Sequence, residues 1–227
     1  MAHLDGPRLP PRSGGPARQL VVLLHGVGAD GADLIGFAPM LAQALPDAAF
    51  AAPDAPFPCD MAPYGRQWFS LQDRSPARLL AGVRAVEPAL RGFLEAELSR
   101  LGLPASALAL AGFSQGAMTA LHAGLRMEAP PAAILAYSGA LLATPESLAA
   151  EVVARPAPAP PVLLVHGEAD GVVPVGASRV AEATLRAAGV PVEALYIPGL
   201  AHTIDQAGLA AGTAALRRAF ALDAPGR

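Results

Sequence analysis

One short stretch near the middle of the chain limits the folds that this sequence can adopt. The apolar run from Leu108 to Ala111 is typical of a buried strand, and at Gly112 it changes to a helix-forming segment that continues to Leu125. Ser114 therefore lies at the turn between a strand and a helix. The turn places a serine hydroxyl on a sharp corner of the chain.

The pentapeptide GFSQG, residues 112–116, matches the nucleophile elbow, in which a strained turn exposes a serine oxygen. Side chains in place of Gly112 and Gly116 would collide with the neighbouring strand and helix. The peptide N–H groups at the start of the following helix would stabilise negative charge on a bound carbonyl oxygen. Because the motif is short, an alternative stays open: a glycine-rich helix entrance in which Ser114 is an ordinary N-cap.

The composition excludes several classes of protein. The chain has 227 residues, of which 53% are hydrophobic, and this is enough for one sizeable core. The net charge of −3 is small and spread along the chain, so we expect no nucleic-acid partner. All 16 basic residues are arginine, which excludes a catalytic lysine and a P-loop lysine. The sparse charge also leaves room for an apolar homodimer face.

The single cysteine, Cys59, allows neither an intrachain disulfide nor a cysteine metal cluster. We interpret Cys59 as a partly buried thiol, because no helix start or basic neighbour flanks it. Prolines and glycines stand where a signal peptide would have its apolar segment, and no window has the roughly 18 apolar residues of a membrane span. We therefore expect a cytoplasmic protein without stable membrane insertion.

Apolar runs alternate with helical patterns along the chain, which predicts an α/β fold: a mostly parallel central sheet with helices on both faces and no large cap domain. Residues 1–17, rich in proline and glycine, are predicted to be a mobile tail ahead of a single domain over residues 18–227. The predicted strands are 20–24, 48–52, 108–111, 132–137, 161–165 and 192–197, and the predicted helices outside the elbow are 34–45, 77–100, 145–153, 174–188 and 205–221.

A nucleophilic serine needs a base that takes its proton and an acid that orients the base. The loops at the carboxyl ends of parallel strands share one edge of the sheet, so distant residues can meet there. Asp170 is the only aspartate between Ser114 and His202, and both Asp170 and His202 follow predicted strands. The chain order Ser, Asp, His is that of the α/β hydrolases.

Each candidate has a competing interpretation. Glu168 precedes Asp170 by two residues and is the alternative acid, and Asp170 itself is also suited to capping a turn. His202 is read alternatively as an ordinary turn histidine. We interpret His122, within the elbow helix, and His166, at a strand end, as structural residues.

A second glycine-rich loop, LLHGVGADG at residues 23–31, follows the first predicted strand. Its glycines let the backbone approach a substrate closely, so the N–H of Val27 can form an oxyanion hole with the N–H of Gln115. The loop also contains the dinucleotide-binding pattern G-x-G-x-x-G, for which only Asp47 or Asp54 is available to bind a ribose. We favour the oxyanion hole.

Six motifs together resemble the phospholipase/carboxylesterase family of α/β hydrolases, which includes acyl-protein thioesterases and small bacterial carboxylesterases. The resemblance covers residues 18–221 and rests on LHGVGADG, RQWFS, AGFSQGAM, the SG pair at 138–139, HGEADGVVPV and AHTI. It implies an α/β-hydrolase fold without a cofactor or a metal. The roles that it implies are nucleophile for Ser114, base for His202, orienting acid for Asp170, and backbone oxyanion donors for Val27 and Gln115.

The resemblance also implies an activity, which is hydrolysis of short- to medium-chain acyl or aryl esters through an acyl-enzyme. Lysophospholipids and protein thioesters are alternative substrates, and a non-catalytic binding protein of the same fold is the alternative from another class. The sequence departs from the family pattern at Ser70, where many relatives have Asp, and at Ala201, where Gly is common. Both departures concern substrate preference.

The resemblance implies an acyl pocket near the long irregular segment 53–76. Loops of this length in compact domains are usually functional or disordered, and the aromatic residues of this one argue against disorder. The residues predicted to form the apolar walls of the pocket, with core packing as the alternative, are Met61, Trp68, Phe69, Leu141 and Leu142.

Overall fold

The structure, a computed structural model, describes residues 3–153 and 157–223. A seven-stranded sheet forms its centre, in the order β1-β3-β2-β6-β7-β8-β9, with a separate two-stranded ribbon of β4 and β5. Of the seven strands, β1 pairs antiparallel with β3 and the others are parallel. The strands are β1 (Arg8–Leu9), β2 (Gln19–Leu24), β3 (Ala48–Ala51), β4 (Phe57–Pro58), β5 (Arg66–Gln67), β6 (Leu108–Phe113), β7 (Ala133–Tyr137), β8 (Val162–Gly167) and β9 (Val192–Ile197).

Helices cover both faces of the sheet, and the predicted α/β fold is confirmed. In the described part of the chain the α-helices are α1 (Gly31–Ile35), α2 (Ala38–Ala44), α3 (Pro76–Leu101), α4 (Gln115–Gly124), α5 (Pro145–Val153), α6 (Gly176–Ala187) and α7 (Gln206–Ala219).

The strand β2 shows why the central strands are apolar throughout. Its alternate residues Leu20, Val22 and Leu24 join the core beneath α3 and α4. Val21 and Leu23 join the core on the opposite face, beneath α1, α2 and α7. Successive residues of a strand point to opposite faces, so a sheet covered on both sides needs apolar residues at every position.

The predicted helix over residues 34–45 is two helices in the structure. The side chain of Asp30 accepts a hydrogen bond from the N–H of Asp33, and this capping box starts α1 earlier than predicted. Pro39 occupies the first turn of α2, because proline fits the start of a helix and disrupts its interior. The break between α1 and α2 places Phe37 at their junction.

The N-terminal segment is not the detached tail that the sequence predicts. Leu4 is buried, and β1 adds an antiparallel edge to the sheet beside β3. The guanidinium of Arg8 lies 2.8 Å from a carboxylate oxygen of Glu97, whose side chain is only 4% exposed on α3. Apolar burial and this ion pair hold the segment in place, and proline content gave no indication of either.

The other predicted boundaries fall partly outside the structure. Residues 154–156 and 224–227 of the predicted domain lie outside the described residues. The single domain over residues 18–227 stays a prediction.

Replacing Arg8 by Met should destabilise the protein by about 1–3 kcal/mol at neutral pH, because Glu97 would lose one of its two arginine partners while staying buried. Burial alone would raise the pKa of Glu97, but the bonds from Arg8 and Arg100 outweigh it and hold the pKa below its ordinary value. The stabilisation from this group is therefore present above the ordinary glutamate pKa and is lost as the pH falls below it.

Urea unfolding of both proteins at neutral pH and in acid measures this effect. Arg12→Met, which removes an exposed arginine from the same segment, is the control and should leave the free energy of unfolding nearly unchanged. A difference between Arg8→Met and the parent that did not shrink on acidification would contradict the assignment.

Candidate active site

Ser114 lies between β6 and α4 in a backbone conformation that serine rarely adopts. Its φ of 54° and ψ of −118° lie in a sparsely populated region, and its N–H donates to the carbonyl of Tyr137 at 2.8 Å. The Ser114 side chain makes no capping hydrogen bond to α4. The ordinary N-cap interpretation is therefore wrong, and the hydroxyl is left unused by the helix.

Close packing around the elbow explains the two glycines. A Cβ at Gly116 would overlap the backbone carbonyl of Leu24 in β2, and one at Gly112 would overlap the backbone of Gly116. Every residue of α4 is buried. The helix therefore packs against the sheet at its first turn, and any side chain at these two positions would push the elbow away.

Asp170 and His202, which follow β8 and β9, meet as the sequence predicts. The Nδ1 of His202 lies 2.6 Å from Oδ2 of Asp170, so Nδ1–H is the donor and Nε2 carries the free lone pair. The other carboxylate oxygen of Asp170 accepts from the N–H groups of Val172 and Val173 at 2.8 and 2.9 Å. These bonds fix both the carboxylate and the tautomer of the imidazole.

The pKa of Asp170 reflects these contacts. Burial by itself would raise it, but the hydrogen bond from His202 and those from the backbone of Val173 and Val172 outweigh burial, so the pKa lies below its ordinary value. Asp170 is therefore a carboxylate at neutral pH. Glu168, the alternative acid, instead pairs with Arg179 at 2.7 Å on the surface.

The imidazole of His202 lies beside the elbow. Its ring centroid is 4.7 Å from that of Phe113, the residue before Ser114. Among the hydrogen bonds of the described residues, none joins the Ser114 hydroxyl to His202. Such bonds are often long in enzymes without substrate and tighten when substrate binds. The structure thus joins Asp170 to His202 and brings the imidazole to the neighbour of the serine.

Two backbone N–H groups near Ser114 are unused. In the described part of the chain, neither Val27 nor Gln115 donates a hydrogen bond from its backbone nitrogen. A Cβ at Gly26 would come 3.4 Å from Cβ of Ser114, so the loop that carries Val27 runs alongside the serine. These are the two donors that the sequence predicts for an oxyanion hole.

The irregular segment 53–76 braces both donors. Hydrogen bonds from Gly28 to the carbonyl of Arg66 and from Arg66 to the carbonyl of Ala29 pair the glycine-rich loop with β5. The side chain of Gln115 bonds Trp68 N–H and the Phe69 carbonyl at 2.8 and 2.6 Å. Its amide is thereby occupied, while its backbone N–H stays free.

The dinucleotide interpretation of the glycine-rich loop lacks its acidic residue. The carboxylate of Asp54 accepts a hydrogen bond from Gly31 N–H at 2.8 Å, so it closes the loop internally. Asp47 pairs with Arg18 at the opposite end of β2. Neither carboxylate is placed to hold a ribose.

A second serine–histidine contact lies behind Asp170, and the sequence did not predict it. His166 is fully buried, with Nδ1 2.6 Å from the Ser178 hydroxyl and Nε2 2.8 Å from the Val173 carbonyl. The same Nε2 lies 3.2 Å from Oδ2 of Asp170, so it must carry the proton. Because Ser178 is 2% exposed, a substrate cannot reach it, and this contact supports Asp170 from the side opposite His202.

A cavity of about 300 Å³ opens beside the imidazole of His202. Its walls are formed by His25, Gly26, Ala29, Asp33, Leu34, Phe37, Phe113, His202, Thr203 and Ile204. No residue predicted to form the pocket walls is among them. Trp68 and Phe69 are buried in the core, Leu141 and Leu142 pack against that core, and Met61 is 53% exposed.

Trp68 and Phe69 lie in the core for a physical reason. The indole N–H of Trp68 donates to the carbonyl of His25 at 2.9 Å, so the ring is held under the glycine-rich loop. Phe69 packs against Gly82 of α3, where a Cβ would come 2.7 Å from the Phe69 side chain. The structure therefore places both aromatic residues in packing roles.

No group of three or more His, Cys, Asp or Glu side chains in the described part of the chain is arranged to hold a metal ion. Over the same residues, no helix is both long enough and apolar enough to cross a bilayer.

Comparison with known proteins agrees with the fold. Residues 12–217 match the phospholipase/carboxylesterase family. The crystal structure of esterase PE8 is 44% identical, covers 95% of this chain and 99% of its own, and superposes with a TM-score of 0.87. The fold and these likenesses define an α/β hydrolase that acts on carboxylic esters.

The chain belongs to the phospholipase/carboxylesterase family, as its motifs indicated. Esterase YpfH of Escherichia coli (strain K12) is 30% identical over 190 residues, which are 84% of this chain and 78% of that protein. Acyl-protein thioesterase 1 of Neurospora crassa is 30% identical over 125 residues, which are 54% of this chain and 50% of that protein.

Replacing His166 by Phe should lower kcat for ester hydrolysis by about ten- to a hundredfold, because Asp170 would lose the contact that holds it in place behind His202. Ser178→Ala is the matched variant: it removes the partner of Nδ1 and keeps the Nε2 contacts, so its effect should be smaller. Steady-state kinetics and thermal unfolding should be measured together. A His166→Phe protein with normal kcat and only reduced stability would contradict a positioning role.

Proposed function

We propose that the protein is a serine carboxylesterase in which Ser114 is the nucleophile, His202 the general base and Asp170 the acid that orients the base. The observation that carries this proposal is the 2.6 Å bond between Asp170 and His202 Nδ1. That bond commits Nδ1 as a donor and leaves Nε2 to accept a proton. The strained elbow with its unused hydroxyl, next to Phe113 and the imidazole, supports the same assignment.

In the first half of the reaction the Ser114 oxygen attacks the ester carbonyl carbon while Nε2 of His202 takes the hydroxyl proton. Negative charge moves to the carbonyl oxygen, where the free N–H groups of Val27 and Gln115 would stabilise it. The tetrahedral intermediate then breaks the bond to the leaving group. The imidazolium returns its proton to the leaving oxygen, and an acyl group stays on Ser114.

In the second half a water molecule takes the place of the leaving group. Nε2 of His202 removes its proton, the hydroxide attacks the acyl carbon, and the same N–H groups hold the new oxyanion. Collapse releases the carboxylic acid and returns the proton to the Ser114 oxygen. Throughout both halves the ionised Asp170 stabilises the positive charge on His202, which its lowered pKa allows at neutral pH.

Short- to medium-chain acyl or aryl esters are the proposed substrates. The likeness to Esterase YpfH and to esterase PE8 supports esters as the substrate class. Thioester hydrolysis is the second candidate, supported by the likeness to an acyl-protein thioesterase. A panel of esters graded by acyl length, with one thioester and one lysophospholipid, separates these substrate classes.

Replacing Ser114 by Ala should abolish hydrolysis of an activated aryl ester and abolish covalent labelling by a fluorophosphonate, with the circular dichroism spectrum unchanged. Ser13→Ala, at an exposed serine, is the control and should react normally. Turnover at the parental rate in Ser114→Ala would refute the assignment of Ser114 as the nucleophile. A parent protein that resists the label and hydrolyses nothing would favour the non-catalytic binding protein.

Replacing Asp170 by Asn should lower kcat by roughly 10³- to 10⁴-fold, because the amide would no longer hold Nδ1 of His202 as the proton donor. Glu168→Gln makes the same carboxylate-to-amide change two residues earlier and should leave kcat near the parental value, since Glu168 pairs with Arg179 at the surface. The reverse order of effects would make Glu168 the acid.

A cytoplasmic location and a homodimer stay predictions. The homodimer rests on the sparse charge of the sequence.

A further inference from the structure

The cavity beside His202 adjoins one particular side of the reacting centre. His202 and the two residues after it, Thr203 and Ile204, form one wall. The wall nearest the elbow is formed by Gly26 and Phe113. Gly26 lies beside Ser114, and the ring of Phe113 contacts the imidazole. The space therefore lies beside the proposed base and is bordered by two neighbours of the proposed nucleophile.

His202 must return a proton to the leaving oxygen, and this requirement decides whether the alcohol part or the acyl part of an ester would occupy this space. Nδ1 of His202 is committed to Asp170, so only Nε2 can give a proton to the leaving oxygen. The leaving oxygen must then lie within hydrogen-bond distance of the imidazole, and the alcohol part of the ester extends from that oxygen along the His202 side. The acyl part, which stays on Ser114, has no such requirement.

Part of the cavity wall is formed by four large apolar side chains. Leu34, Phe37, Phe113 and Ile204 line it and also border a second space beneath it. That second space measures only about 20 Å³, close to the volume that a single water molecule needs. The same four side chains therefore limit how deep a bound group can reach.

The charge at the cavity mouth is negative. Asp33 is the only acidic residue among the lining residues, and no arginine is among them. The Asp33 side chain accepts from Asp30 N–H in the exposed first turn of α1, so its position is held by the capping box. A leaving group that carries a carboxylate or a phosphate would be repelled there, and a neutral group would not.

We propose that this cavity is the leaving-group subsite and that it takes a neutral apolar alcohol or phenol of about the size of a benzyl group. The inference rests on the proposed function, because it uses His202 as the proton donor to the leaving oxygen. Phe37 and Ile204 are the residues that set the size of the accepted group.

Two ester series measured as kcat/KM distinguish the leaving-group side from the acyl side. In the first, acetate is esterified with ethanol, benzyl alcohol or 2-naphthylmethanol; in the second, ethanol is esterified with acetate, butyrate or hexanoate. The ratio kcat/KM covers the steps through acylation, in which the leaving group departs. Deacylation starts from the same acetyl-enzyme for every ester of the first series, so it does not contribute to differences within that series.

The parent should prefer benzyl acetate to ethyl acetate and should discriminate against 2-naphthylmethyl acetate. Ile204→Phe, which fills the cavity, should lower the benzyl-to-ethyl ratio at least tenfold and should leave the ratios within the acyl series unchanged. Phe37→Ala, which enlarges the cavity, should raise the naphthylmethyl-to-benzyl ratio at least tenfold. Met40→Ala changes an exposed residue of neighbouring α2 outside the cavity and should leave every ratio unchanged.

Each failure has its own meaning. If Ile204→Phe or Phe37→Ala altered the acyl series and not the alcohol series, the cavity would be the acyl pocket and the present inference would be overturned, with the serine mechanism intact. If neither series responded, the cavity would not be a subsite. If the proposed serine mechanism were wrong, a separate experiment would show it, because turnover or labelling would be undiminished in Ser114→Ala.

The charge at the mouth has an independent test. Phenyl acetate bearing a para carboxylate should react more slowly than unsubstituted phenyl acetate, and Asp33→Asn should narrow that difference by about fivefold. An unchanged ratio in Asp33→Asn would remove the charge part of the inference.

Discussion

The close approach between α4 and the end of β2 is the constraint on which the candidate site depends. Gly116 lies so near the carbonyl of Leu24 that no side chain fits between them. That approach forces the chain to turn sharply at Ser114, gives the serine its positive φ, and keeps its hydroxyl out of the helix cap. It also brings the N–H of Gln115 beside the loop that leaves β2. One packing contact thus positions the proposed nucleophile and both proposed oxyanion donors.

The carboxylate of Asp170 organises the opposite side of the site. Its two oxygens face two backbone N–H groups and two histidines, so all of its lone pairs have partners. A buried carboxylate is costly unless it is satisfied in this way, and here the bonds also hold the group ionised. His166 has no access to substrate, yet it braces the residue that orients His202. His166 thus contacts Asp170 without lining the cavity beside His202.

The segment between β3 and α3 contributes packing and hydrogen bonds to the candidate site. Trp68 and Phe69 bind the side chain of Gln115, and β5 pairs with the glycine-rich loop. The segment therefore supports the backbone of the site, whereas the cavity beside His202 is built by Phe37, at the α1–α2 junction, and by Ile204, which follows the base. The aromatic content of the segment did not indicate that Trp68 and Phe69 would be buried.

Local sequence determined the six central strands, the elbow and the order of the candidate residues, because apolar runs, glycines at a tight turn and strand-end polar residues are properties of short segments. Asp170 and His202 could be paired in advance since parallel strands bring their carboxyl ends to one edge. Only the tertiary structure decided that Leu4 and Arg8 join the body, that His166 supports Asp170, and that the cavity lies on the His202 side. The first and the third depend on contacts between residues tens of positions apart, and the His166–Asp170 contact depends on how the loop after β8 folds back on the strand, which no local pattern encodes.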